Sequence, residues 1–267
     1  MNCLRCCARS AQLGSELGTV TPMTQLTRSR NVAALAFMML ALAACSSSTS
    51  SNNTSKPTSN TAIPTSTSAS GAPTKFIADI WGDNWFALYV NGKLVGEDSV
   101  PITTQRSFNK ERITFTATYP LTVAVLAKDY IQDASGLEYI GTPQQQIGDG
   151  GLIAQISDEA SGRVVAATNG KWRTLVVQRA PLNPSCVASA NPITDCEHES
   201  IATPDEWAAP SFDDASWPNV NVYTAEQVGA HGDYTMVTWD PSASLIWGSD
   251  LKIDNVLLMR APTIARP

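Results

Sequence analysis

The sequence is short of basic residues, and this narrows its partners. Only 16% of its 267 residues are charged, and 18 Lys and Arg face 24 Asp and Glu, for a net charge of −6. Binding to nucleic acid or to anionic lipid headgroups depends on clustered Lys and Arg, and no such cluster occurs. We therefore expect no nucleic-acid partner and no docking on a membrane by charge alone.

Sequence motifs of common catalytic sites are also missing. The two histidines, His198 and His231, lie in loop-like sequence outside any H-E-x-x-H motif, and neither G-x-S-x-G nor a P-loop occurs. Nothing in the order of the acidic residues selects a catalytic pair. We expect no enzymatic activity, because a hydrolase would need a pocket in which two carboxylates converge, and the sequence reveals none.

The N-terminal 45 residues resemble a bacterial lipoprotein signal region. Arg28 and Arg30 precede 13 apolar residues, Val32 to Ala44, a run too short for a comfortable transmembrane helix. Leu42–Cys45 (LAAC) resembles a lipobox, which implies that Cys45 is lipidated and becomes the new N-terminus. A start at Met23 would give a conventional basic n-region. An ordinary cleavage site that happens to precede a cysteine is the alternative.

A Ser/Thr-rich segment, residues 46–74, follows Cys45. It has almost no large apolar residue and cannot bury enough surface to offset chain entropy, so we expect a disordered tether. The expected location is the bacterial cell envelope, lipid-anchored and extracytoplasmic, at the outer membrane or cell surface.

Residues 75–267 have the pattern of an all-β domain. Asn91-Gly92 predicts a hairpin within Trp81–Asp98, with Tyr89 opposite Leu94 and Leu88 opposite Val95. Turn-punctuated strands follow, no helical period lasts three turns, and a β-sandwich is the natural class. The predicted strands are Arg112–Thr118, Leu121–Ala127, Leu152–Ser157, Arg163–Ala167 and Trp172–Gln178, with Leu245–Trp247 and Val256–Arg260 closing the sandwich and covering an edge.

Two cysteines lie ten residues apart in the proline-rich segment Pro181–Pro204. In an exported chain, Cys186 and Cys196 are expected to form a disulfide, and a metal pair with His198 is the alternative. Asp213-Asp214 fits either a Ca²⁺ site or a turn, and we favour the turn. Asp250 and Asp254 give a weaker signal of the same kind. We expect no cofactor and no catalytic metal.

Several short motifs occur in a fixed order through this domain. They are Leu88–Gly92 (LYVNG), the strands Ile113–Ala117 and Leu121–Ala127, Gly151–Ala154 (GLIA), Lys171–Arg173 (KWR), Trp207, and Phe212–Trp217 (FDDASW). This series resembles galactose-binding-like domains, the jelly-roll modules attached to many bacterial glycoside hydrolases. The resemblance implies a jelly-roll β-sandwich with a carbohydrate-binding role. The chain departs from it in the proline-rich insertion and in the tail from Tyr223 to Pro267.

Tryptophans are the most informative candidate ligand residues. The resemblance places Trp172, Trp207 and Trp217 in the core, whereas Trp85 and Trp247 lie beside polar residues at strand ends. An exposed indole can pack on the C–H face of a sugar, and Asp83 and Asn84 could bind its hydroxyls. We expect non-catalytic glycan binding; the alternative is a structural or protein-interaction lipoprotein of the cell envelope.

Overall fold

The computed structural model describes residues 71–104, 107–129 and 132–267. Two short α-helices, α1 (Pro192–Asp195) and α2 (Ala225–Val228), accompany many strands, and no helix in these ranges is long and apolar enough to cross a bilayer. The strands are β1 (Thr74–Asp83), β2 (Trp85–Val90), β3 (Lys93–Glu97), β4 (Lys110–Ala117), β5 (Val123–Lys128), β6 (Leu137–Glu138), β7 (Gln146–Ile147), β8 (Gly151–Asp158), β9 (Val164–Ala167), β10 (Arg173–Arg179), β11 (Glu199–Ser200), β12 (Asn221–Tyr223), β13 (Leu245–Trp247) and β14 (Asp254–Arg260).

These strands form a β-sandwich, which confirms the all-β prediction. One sheet has the order β12-β13-β8-β1-β4, with β9 also paired to β8, and the other has the order β11-β10-β14-β5-β2-β3. Every pairing is antiparallel, and β6 with β7 forms a separate small hairpin. Consecutive strands often lie in different sheets, as β1 and β2 or β4 and β5 do.

The main core lies between the two sheets. Its members come from alternate positions of the inner strands, as the period of two in a strand requires. Phe76 and Ile80 of β1 meet Leu88 of β2, Val125 of β5 and Leu257 of β14, all fully buried. These side chains fix the register of both sheets, because a shift by one residue would turn them outward.

The outer face of the second sheet is covered by residues 207–217. Trp207 and Trp217 pack there against Leu258, and Tyr89 meets Trp207 edge-on with centroids 5.3 Å apart. Arg260 holds this cover in place: it is 4% exposed, and its guanidinium donates to Asp214 Oδ2 at 2.8 Å and to the Trp207 carbonyl at 2.6 Å. The expectation that Trp172, Trp207 and Trp217 are core residues is confirmed.

The predicted hairpin is present, with one change of register. Asn91 and Gly92 both have positive φ, and Tyr89 lies opposite Leu94 as expected. A bulge places Leu88 opposite Gly96 instead of Val95, at a position where a Cβ would lie 2.7 Å from Ile113 Cδ1. Trp81 to Asp83 belong to β1 in the other sheet, so the hairpin proper begins at Trp85.

The C-terminal strand differs from its predicted role. β14 lies in the middle of the second sheet, between β10 and β5, and covers no edge. Thr74, placed in the tether from the sequence, is the first residue of β1 and pairs with Ala117. The signal region, Cys45 and the tether up to residue 70 lie outside the described residues.

Candidate functional site

An open acidic pocket lies at one end of the sandwich. It begins where β1 ends at Asp83, which is paired with Gly151 at the start of β8. Asp149 lies in the short segment between β7 and β8, next to Gly148 and Gly150. The volume is about 410 Å³, and the pocket is lined by Asp83, Phe108, Glu138, Tyr139, Gln144, Gln146, Asp149, Val228, Gly229 and His231.

Glycines let the chain around Asp149 come close to the core. A Cβ at Gly150 would collide with the Trp247 ring, and one at Gly148 would collide with the Asp129 carboxyl. Backbone hydrogen bonds fix both sides of Asp149: the Gly148 N–H donates to the Gly136 carbonyl, and the Gly150 N–H donates to the Leu251 carbonyl at 2.8 Å. These close contacts and hydrogen bonds hold the Asp149 carboxyl at the pocket.

The β6–β7 hairpin forms a second wall. Glu138 pairs with Gln146 in the hairpin, and Gln146 Nε2 donates to Glu138 Oε2 at 2.9 Å. The predicted Cys186–Cys196 disulfide is present and packs against this hairpin in a small cluster with Leu137. The Gln145 amide also donates to the carbonyls of Val187 and Ser189, at 2.7 and 2.9 Å. The disulfide segment therefore supports the wall that carries Glu138.

The third wall is the turn after α2. Thr224 begins this helix with a capping box, and Gly229 ends it in the left-handed conformation. His231 follows, with Nδ1 at 2.7 Å from the Gly229 carbonyl and its ring centroid 3.8 Å from that of Phe108. Two rings thus line the same pocket as the carboxyl groups.

The three carboxyl groups share an environment that disfavours their charged forms. Burial, followed by the charges of Asp149 and Glu138, raises the pKa of Asp83 well above its ordinary value. Burial also raises the pKa of Glu138, although the Gln146 hydrogen bond opposes it. Burial raises the pKa of Asp149 too, against the lowering effects of Lys252 and His231.

Asp83 is the most unusual of these residues. It is 5% exposed, yet no hydrogen bond or ion pair reaches its carboxyl from the residues that the structure describes. Its oxygens are not among the fully enclosed side-chain atoms that lack a hydrogen-bond partner, so the carboxyl reaches the pocket and no other group of the described residues. Its carboxyl lines the pocket, so a ligand there could supply the missing partner.

Other residues proposed from sequence have different surroundings. Trp247 is 1% exposed, and its Nε1 donates to the Asp254 carbonyl at 2.8 Å, which contradicts the exposed strand-end position expected for it. Asn84 is also buried, at 1% exposure. Trp85 is half-buried, with Lys128 Nζ 5.0 Å from its ring centroid. Of the four candidates, only Asp83 lines the acidic pocket.

The acidic pairs considered for Ca²⁺ are engaged by the protein itself. Asp213 Oδ1 accepts from the Ala215 backbone at 2.9 Å, as in the turn that we favoured, and Asp214 binds Arg260. Asp254 Oδ1 lies 2.8 Å from Arg179 Nε, and Asp250 Oδ1 accepts from the Lys252 backbone. Within the described ranges, no group of three His, Cys, Asp or Glu could hold a metal ion.

Sequence reasoning missed Glu138, Asp149, His231 and Phe108 as parts of one site. They come from four separate segments, and only the fold brings them together. The position of His231 in loop-like sequence does not tell which other residues lie nearby.

No protein-family model, curated protein or solved structure matches the chain.

Proposed function

We propose that this protein is a lipid-anchored, extracytoplasmic protein of the bacterial cell envelope that binds glycan without catalysis. In this proposal its sandwich is a galactose-binding-like jelly roll, and the acidic pocket is the ligand site. The antiparallel sheets, and a chain that passes repeatedly from one sheet to the other, support the jelly roll.

The observation that carries the binding function is the composition of the acidic pocket. The pocket is lined by the rings of His231 and the adjacent Phe108. It is also lined by carboxyl and carboxamide groups, those of Asp83, Glu138, Gln144 and Gln146. Small-ligand pockets combine ring surfaces with a few converging polar groups, and a sugar offers hydroxyls to the latter and a C–H face to the former. The volume of about 410 Å³ lies in the range of such pockets.

A glycan array with the purified chain tests this function. We expect binding to a defined set of glycans, and loss of most binding in Tyr139→Ala, which removes a half-buried ring from the pocket wall. Trp85→Ala is the matched comparison, because Trp85 is a half-buried ring outside this pocket. Loss in Trp85→Ala alone would move the site to the hairpin, and an array without any binding would favour the envelope interaction protein.

The proposed anchor has its own test. Cys45 follows a basic and then an apolar segment, and it is the residue that a lipobox would lipidate. We expect Cys45→Ala to abolish incorporation of radiolabelled palmitate and to release the protein from membranes. Labelling that persists in this variant would contradict lipidation at Cys45, and Cys3→Ala serves as the control that should keep the label.

Hydrolysis of a glycosidic bond is the second candidate function, and one observation favours it. Glycoside hydrolases use two carboxyl groups, one of which keeps its proton at neutral pH because its pKa is raised. Asp83, Glu138 and Asp149 line one pocket, and the pKa of each is raised. Appearance of new reducing ends when array-positive glycans are incubated with the protein, and their absence with Glu138→Gln, would establish this activity in place of pure binding.

A further inference from the structure

We infer that the acidic pocket selects glycans that carry a protonated primary amine, so that its ligand is an amino sugar and not a neutral or N-acetylated one. This inference rests on the proposed glycan-binding function and names the class of ligand. It follows from the charge of the pocket lining and from the unpartnered carboxyl of Asp83.

The charge of the lining is one-sided. Three carboxyl groups line the pocket, whereas neither Lys nor Arg does, and His231 is the one basic residue in the lining. Lys252 and His231 interact electrostatically with Asp149 and act to lower its pKa. The charged groups that influence the pKa of Asp83 are instead the acids Asp149 and Glu138. An ammonium group is the sugar substituent that complements such a lining, because hydrogen bonds from a cation to a carboxylate are about twice as strong as neutral ones.

Asp83 identifies the place where the ammonium would bind. Its carboxyl lines the pocket at 5% exposure without a donor from the described residues, whereas Glu138 already accepts from Gln146. An ammonium has three donors and no acceptor, so it satisfies a carboxylate without leaving an acceptor of its own unpaired. A neutral hydroxyl supplies one donor and no charge, and an N-acetyl group supplies one amide donor together with a carbonyl acceptor that a carboxylate repels.

The rings of the pocket fit the same ligand. The rings of Phe108 and His231 are in contact, tilted by 46° with centroids 3.8 Å apart, and Tyr139 lines the same pocket from the segment after β6. The π-face of a Phe or Tyr ring attracts a cation as well as the C–H face of a sugar. The side-chain amide of Gln144 and the amide oxygen of Gln146 line the same pocket and can bind hydroxyl groups of the same sugar ring, whereas Gln146 Nε2 already donates to Glu138.

The proton balance of binding gives an independent signature. Burial raises the pKa of Asp83, Glu138 and Asp149, and the charges of neighbouring acids add to this shift for Asp83 and Glu138, so the protonated forms are favoured relative to free carboxyl groups. A bound ammonium favours the carboxylate and lowers these pKa values, so binding releases protons. Affinity should therefore rise with pH through the raised pKa range of the carboxyls, and fall again when the ligand amine loses its proton.

Calorimetric titration of the purified full chain with two matched ligands tests the inference. The ligands are the β-1,4-linked glucosamine tetramer and the same tetramer fully N-acetylated, which differ only in the amine. We expect the amine form to bind at least about tenfold more tightly near neutral pH, and to release protons when titrated in buffers of different ionisation enthalpy. Equal or tighter binding of the acetylated tetramer, or no binding of the amine form, overturns the inference.

Asp-to-Asn variants, which keep the side-chain shape and remove the charge, test which carboxyl group causes the preference for the amine. Asp83→Asn and Asp149→Asn should lose the preference for the amine and the proton release, whereas Asp205→Asn removes an exposed carboxylate outside the pocket and should keep both. A preference that survives Asp83→Asn overturns the assignment, and the wild-type ligand comparison still decides if a variant fails to fold. A glycan array that is positive only for neutral or acetylated glycans would overturn this inference and leave the proposed function standing, whereas an array without binding would overturn the proposed function itself.

Discussion

Replacement of Trp247 by alanine is expected to lower the free energy of unfolding by about 3–5 kcal/mol. The ring is 1% exposed, belongs to the core between the sheets, and donates from Nε1 to the Asp254 carbonyl. The ring also lies against Gly150. The cavity that its removal leaves would therefore loosen the segment that positions Asp149. We expect urea unfolding to show the loss of stability, and glycan titration to show weaker binding as a secondary effect.

Trp85→Ala is the matched control for this prediction. Trp85 is half-buried beneath Lys128, so its removal leaves no closed cavity and should cost much less stability. From the sequence, both residues are expected to be exposed rings at strand ends. Equal losses of stability in both variants would contradict the burial that distinguishes them in the structure.

Removal of the disulfide has the second largest expected effect. Cys186→Ala/Cys196→Ala opens a short loop in the chain, and we expect the free energy of unfolding to fall by about 2–3 kcal/mol in the chain-entropy model. The same variant should bind glycan more weakly, because the disulfide segment packs against the β6–β7 hairpin that carries Glu138.

Two comparisons separate these effects. Reduction of the wild-type protein should reproduce the loss of stability, whereas Ser189→Ala removes a surface hydroxyl from the same segment and should leave the disulfide and most of the stability intact. Unfolding curves that coincide with and without reductant would contradict the stabilising role. Loss of stability without loss of binding would show that the hairpin wall holds its position without the disulfide.

Local chemistry in the sequence was enough to predict the elements of the sandwich. The Asn91-Gly92 turn needs positive φ at two positions and therefore specifies a hairpin at one place. Alternation from Ile113 to Ala117 predicted a strand with one buried face, and Phe115 is indeed buried between exposed neighbours. The isolation of Cys186 and Cys196 in the chain predicted their bond.

The sequence was less informative about which elements are neighbours. The sequence predicts a strand at Val256–Arg260, but its apolar pattern does not distinguish an edge from the centre of a sheet, and β14 is central.

Arg260 is the clearest case of a residue whose burial the sequence does not predict. A charged residue at the end of a strand suggests an exposed position, yet it is buried because the Asp214 carboxylate and two loop carbonyls arrive from residues 207–214.

The sequence by itself determined a β-sandwich, its hairpin turn, its disulfide and the absence of a local catalytic motif, because each depends on residues close together in the chain. The tertiary structure alone decided that Trp247 is buried and that Asp83, Glu138 and Asp149 share one pocket. Asp83 is far from the other two in the chain, and the raised pKa values arise from burial and, for Asp83 and Glu138, also from the charge of neighbouring acids. Both causes are properties of the distances between groups in the folded state, and a linear sequence does not contain them.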